Sequence, residues 1–187
     1  MDLTRRDALV HLATLLGATV VGPRLAAAPI GSMQAHGFSA EEIALLDEIG
    51  DTIIPDTDVP GARAVGIGEF LAMMIADCYE PAEQQRLRAG IADIAARYKQ
   101  RYGGSFVGGP SADRTALLNE LDREQREHHA ALPPDGDPHY FRILKELTIL
   151  GYFSSEIGAT QALRYLEVPG RYEPDVPYTR GDRAWFN

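Results

Sequence analysis

A single cysteine, Cys78, stands among the 187 residues of the chain. One thiol forms no intramolecular disulfide, no cysteine cage for zinc or an iron–sulfur cluster, and no C-x-x-C-H haem attachment. Positive charge is scarce: 18 Lys and Arg face 27 Asp and Glu, for a formal net charge of −9 and a pI near 5.0. Such a chain repels a phosphate backbone, so nucleic acid is not an expected partner. Strand-like alternation of apolar and polar residues is nearly missing. So are the motifs that hold nucleotides or drive hydrolysis. Gly66-Ile67-Gly68 runs on into Glu-Phe-Leu without a third glycine, and there is no P-loop, no G-x-S-x-G and no H-E-x-x-H. The sequence offers no recognisable place for a flavin, haem or nucleotide of its own, and no metal site is expected. What is left is an ordinary soluble composition, 45% hydrophobic and 24% charged, at a length suited to one core.

The N-terminus is the first positive signal. Arg5 and Arg6 precede a mostly apolar run of 13 residues, Leu9 to Val21, and Ala26-Ala27-Ala28 offers an A-x-A cleavage site. A helix of that length rises about 20 Å, short of a hydrocarbon core of about 30 Å, so a cleaved signal fits better than an anchor. Thr4-Arg5-Arg6-Asp7-Ala8-Leu9 resembles a twin-arginine signal, with Ala8 in place of the usual aromatic and Val10 in place of the frequent lysine. The expectation is a signal over residues 1–28, read through Arg5 and Arg6 by the twin-arginine translocase, and a linker over 29–38. That route carries folded proteins to the periplasm, and it would leave the mature chain more acidic still.

Beyond the linker the chain reads as all-α: a single compact helical domain of five to six helices over 39–167, with an extended C-terminal arm over 168–187. Ser39-Ala40-Glu41-Glu42 has the form of a capping box, and Pro55 ends the helix that it opens. A second helix is expected from about Ile67 to Tyr79, burying Phe70, Leu71, Met74, Ile75 and Cys78. A third starts near Pro81, with Leu87, Ile91, Ile94 and Tyr98 on one face. Glycines from Gly103 to Gly109 interrupt the pattern before a fourth helix that carries Leu117, Leu118 and Leu121 to about His129. The segment Tyr140 to Leu166 is expected to form one or two helices, with Gly151 and Gly158 permitting a kink or a close helix contact.

Three groups invite a chemical reading. Glu124, Glu127, His128, His129 and His139 are the residue types of a metal or acid–base site, but adjacent histidines point about 100° apart on a helix. The competing reading is a solvated helix end. Asp56 and Asp58 could ligate calcium, yet the further oxygens it requires are missing, and a turn accounts for them. Cys78 reads as a small buried apolar residue rather than a reactive thiol. The tail is different. Arg171, Tyr172, Tyr178, Arg180, Arg183, Trp185 and Phe186 gather arginine and aromatics, the types enriched at interface hot spots, in a proline-rich stretch. Such an arm either wraps back over its own helices or docks on a partner.

Leu147-Thr148 through Gly151-Tyr152-Phe153, Ser155-Glu156-Ile157-Gly158, Val168-Pro169-Gly170-Arg171-Tyr172 and Gly181-Asp182-Arg183-Ala184-Trp185 together resemble subunit 3 of gluconate 2-dehydrogenase. Upstream, Asp51-Thr52-Ile53-Ile54-Pro55 and Pro60-Gly61-Ala62 are similar to the same family, which includes small subunits of periplasmic glucoside 3-dehydrogenases. The resemblance implies a complex with a large FAD-containing subunit of the glucose–methanol–choline type, often joined by a cytochrome c carrying haem. The FAD would sit in the partner, and the small subunit would be non-catalytic, escorting the flavoprotein through export and stabilising it. No catalytic residue is carried over. The expected partner interface is Tyr152, Arg171, Tyr172, Tyr178, Arg183 and Trp185. Two other readings stay open: a free-standing periplasmic binding or adaptor protein, and an enzyme acting through Glu124, His128 and His139.

Overall fold

A computed structural model of the protein describes residues 36–134, 136–168, 170–172 and 175–186. The expected signal, with Arg5 and Arg6, and the linker up to residue 35 lie outside the described residues. The architecture is all-α, with five α-helices among the described residues.

Helix α1 (Ala40–Ile53) opens on the capping box: the Ser39 hydroxyl accepts the Glu42 N–H at 3.2 Å, and the Glu42 carboxylate accepts the Ser39 N–H at 2.7 Å. Helix α2 (Ile67–Cys78) follows a 3-10 turn (Ala62–Val65) and Gly66, whose φ of 66° suits glycine. Its first turn has no side-chain cap of its own. Asp47 of α1 reaches across and accepts the Gly68 N–H at 2.7 Å, placing a carboxylate on the positive end of α2. The two helices nearly touch backbone to backbone here, since a Cβ on Gly68 would lie 2.5 Å from the Ile43 carbonyl oxygen.

Helix α3 (Pro81–Tyr102) buries the expected stripe of Leu87, Ile91, Ile94 and Tyr98, and α4 (Ser111–Ala130) buries Leu117, Leu118 and Leu121. The glycine-rich loop between them is anchored rather than open. Phe106 is 1% exposed and packs edge-on against Tyr98, with ring centroids 5.2 Å apart. Helix α5 (Tyr140–Ser154) buries Phe141, Leu144, Leu147 and Tyr152 and passes close to α2 at Gly151, where a Cβ would meet the Phe70 ring at 2.5 Å. The core sits where α1, α2 and α5 meet, closed by α3 and α4. Among the described residues no helix is long and apolar enough to cross a membrane.

Two expectations need correction. Cys78 is exposed, not buried. The buried stripe of α2 runs through Ile67, Leu71 and Ile75, and Cys78 falls past it in the last turn, with its Sγ 3.9 Å from Met74 Sδ. Phe70 and Met74 are only partly buried. The segment after Tyr140 forms two helical pieces, within the expected one or two, but the first stops at Ser154 and the second at Ala162, short of Leu166. Ser155 then donates its hydroxyl to the Tyr152 carbonyl at 2.6 Å and accepts the Gly158 N–H at 3.1 Å, offering the backbone a turn in place of further helix. A short π-helical turn (Gly158–Ala162) follows, and the chain leaves it extended.

Candidate docking surface

The extended chain after that turn forms β1 (Arg164–Tyr165), which pairs in parallel with β2 (Trp185–Phe186). The Arg164 N–H donates to the Ala184 carbonyl at 2.8 Å, and the Leu166 N–H to that of Phe186 at 3.0 Å. The end of the tail therefore folds back onto the chain. Side chains fasten it. The Arg164 guanidinium lies 4.8 Å from the Trp185 ring centroid, donates to the Arg183 carbonyl at 2.6 Å and approaches Asp182 at 3.6 Å. Arg183 in turn donates to the Gln161 carbonyl at 2.5 Å and to that of Thr160 at 3.4 Å, satisfying acceptors at the end of the π-helical turn. Asp182 also accepts the Thr179 N–H at 3.0 Å, closing a turn through Gly181 at φ 98°. Arg164, Val176, Tyr178, Asp182 and Trp185 border a cleft of about 350 Å³.

Between those fastened ends several of the described side chains face outward. Tyr172 is 90% exposed, Tyr178 74% and Val168 73%, with Trp185 half-exposed at the margin. Arg171 and Arg183 are exposed as well. Five of the six expected interface residues thus lie on one surface segment. Tyr152 is set apart in the core, where its hydroxyl donates to the Pro60 carbonyl at 2.7 Å and ties α5 to the loop after α1. Burial, followed by the charges of Asp56 and Asp58, raises the Tyr152 pKa, so it remains a hydrogen-bond donor. Val168 and Val176 had no signal beyond their apolar character among prolines.

Glu124, His128 and His139, near the C-terminal end of α4 and the start of α5, each have another partner. Glu124 takes both carboxylate oxygens to Arg97 at 2.8 and 2.9 Å, and Arg97 also pairs with Asp93 at 2.8 Å. His128 Nε2 lies 2.9 Å from the Asp137 carbonyl, an acceptor that requires the proton on that nitrogen. The His139 Nδ1 accepts the Phe141 N–H at 3.2 Å and caps α5. His128 and His139 face each other at 5.7 Å between ring centroids. Among the described residues no three His, Cys, Asp or Glu are grouped so as to hold a metal ion. Asp56 accepts the Gly61 N–H at 2.5 Å and the Thr57 hydroxyl donates to Asp58 at 3.1 Å, which makes that loop a hydrogen-bonded turn.

One charged cluster has no counterpart in the sequence reading. Glu48, on the inner face of α1, is nearly buried between Arg114 of α4 and Arg63 of the 3-10 turn. Arg63 lies 2.8 Å from Glu48 and 3.1 Å from Asp51. Burial lowers the Arg114 pKa. The only trace in the sequence is a glutamate between Leu45 and Ile49, on a face otherwise apolar.

Taken together, these features define a small all-α protein that presents a fastened surface loop. A family model, gluconate 2-dehydrogenase subunit 3, matches residues 40–170, and the chain belongs to that family of dehydrogenase-complex subunits. No curated protein and no solved structure matches it. The family match covers all five helices and ends at Gly170, so Tyr172, Tyr178, Arg183 and Trp185 lie beyond it.

Proposed function

We propose that this chain is the non-catalytic small subunit of a periplasmic, FAD-dependent sugar dehydrogenase complex of the gluconate 2-dehydrogenase or glucoside 3-dehydrogenase type. The family membership over residues 40–170 carries the proposal. In this reading the large glucose–methanol–choline type subunit holds FAD and oxidises the sugar, and a cytochrome c passes the electrons on. The small subunit supplies the twin-arginine signal that takes the folded pair across the membrane, and a surface that stabilises the flavoprotein. The exposed arginine and aromatic side chains between Val168 and Trp185 support the second role, because those residue types dominate interface energetics.

The test is purification of the chain from its native periplasm, followed by a visible spectrum. Flavin bands with a larger polypeptide are expected, and a haem band would identify the cytochrome; a colourless single species sinks the proposal. Replacing Arg5 and Arg6 by lysine should leave both polypeptides in the cytoplasm. Tyr172→Ala with Tyr178→Ala should weaken the complex by about 2 kcal/mol or more, as hot-spot aromatics do, without changing the helical circular dichroism.

A further inference from the structure

An exposed proline-rich tail reads as a free arm, but the hydrogen bonds describe something else. They tie its two ends, where Arg164 and Leu166 meet Ala184 and Phe186, and where Arg183 meets Thr160 and Gln161. Val168, Tyr172 and Tyr178 between them remain largely exposed. The ends of the segment are thus tied down while Val168, Tyr172 and Tyr178 stay outward.

We infer that the described residues between Leu166 and Gly181 belong to a pre-formed docking loop, and that Arg164, Asp182 and Arg183 are its positioning residues. The inference rests on the proposed docking of the flavoprotein subunit through this loop and adds how the loop is held ready. A free arm would have to be ordered at the moment of binding, and that cost is subtracted from affinity. Each of the three residues has a distinct part. Arg183 clamps the returning strand to the end of the π-helical turn by donating from one guanidinium nitrogen to two backbone carbonyls. Arg164 lies against Trp185 and joins the Arg183 carbonyl to the Asp182 carboxylate. Asp182 shares one oxygen between Arg164 and the Thr179 N–H, so the turn and the clamp are a single unit.

The experiment measures two quantities on the full mature chain: amide exchange in the isolated protein, and affinity for the purified flavoprotein subunit. Arg183→Ala should speed exchange of the Arg164 and Leu166 amides about tenfold and weaken binding by a similar factor, with the core helices unaffected. A covalent rescue separates positioning from contact. Tyr165 and Phe186 are register partners, so Tyr165→Cys with Phe186→Cys, in a Cys78→Ser and Arg183→Ala background, can close the loop by a disulfide. Oxidation should restore affinity and reduction should remove it again. If Tyr172→Ala with Tyr178→Ala weakens binding while Arg183→Ala does not, or if the oxidised clamp restores nothing, the positioning role is overturned and the docking surface survives. If the tyrosine variants bind unchanged, the docking reading falls and this inference with it. Unchanged amide exchange in Arg183→Ala overturns the pre-formed loop regardless of any binding result.

Discussion

At the scale of single residues, the most consequential group is one that a sequence reader passes over. Glu48 is nearly buried against Arg114 and Arg63, with Asp51 beside them. Glu48→Ala would leave the buried Arg114 guanidinium without its carboxylate, and removing one partner of such a pair costs about 3–5 kcal/mol. Urea denaturation should show a lowered midpoint of that order, with a smaller loss for Glu48→Gln. His139 makes a second, pH-dependent case. Burial and then His128 hold its pKa below the usual histidine value, with Arg97 acting in the same direction and Glu124 and Asp93 opposing. The folded chain therefore binds this proton less readily than the unfolded chain. The stability that depends on neutral His139 is complete above the ordinary value of about 6.5, declines as pH falls below it, and levels off beneath the folded value. Protonation would also remove the lone pair that caps α5 through the Phe141 N–H. His139→Asn, which caps without titrating, should flatten that part of the urea midpoint's pH dependence, and His139→Ala should cost about 1 kcal/mol at all higher pH values.

At the scale of elements, the tightest feature is the seam between α1 and α2. A side chain on Gly68 meets the Ile43 carbonyl oxygen and the Asp47 backbone nitrogen, atoms that cannot swing aside. Gly68→Ala should destabilise by about 1–3 kcal/mol, while Gly104→Ala, which meets nothing within 4 Å, should change the midpoint by less than about 0.5 kcal/mol. The helices themselves were legible because their signals are local. Ser39 with Glu42, Pro81 after Glu80, and the apolar stripe of α3 each declare themselves within a few residues. The elements that were not legible depend on distant partners. Phe106 sits among glycines with no periodicity around it, and its packing on Tyr98 helps to make it core. Two-residue strands are too short to alternate, so nothing near Arg164 foretells Trp185. The stop of α5 at Ser154 depends on hydroxyl hydrogen bonds that compete with helix, in a segment otherwise apolar enough to continue.

At the scale of the whole molecule, the sequence held the composition of the candidate surface but not its shape. Tyr172, Tyr178, Arg183 and Trp185 are conspicuous by residue type alone. That Arg183 and Trp185 turn back to close the segment, while Tyr172 and Tyr178 stay outward, is decided by carbonyls of the turn before β1, which no pattern in the tail encodes. Tyr152 shows the reverse, a family motif residue whose hydroxyl serves Pro60 from inside the core. Truncation after Val168 should leave the thermal unfolding of the five helices unchanged by circular dichroism, because the core lies within the helices and the loops that join them. The same truncation should abolish recovery of the flavoprotein in a pull-down.

The open turn at Gly103–Gly104 has a practical use. Both glycines are exposed, an added Cβ at either meets no atom within 4 Å, and the loop is anchored just beyond them by buried Phe106. A peptide handle or fluorophore spliced in after Gly104 would cost little more than loop-closure entropy, about 0.6 kcal/mol for each doubling of loop length. A handle placed next to Phe186 would instead crowd the strand that closes the docking loop. A handle at Gly104 lets the assembly be captured and watched without touching the surface under test.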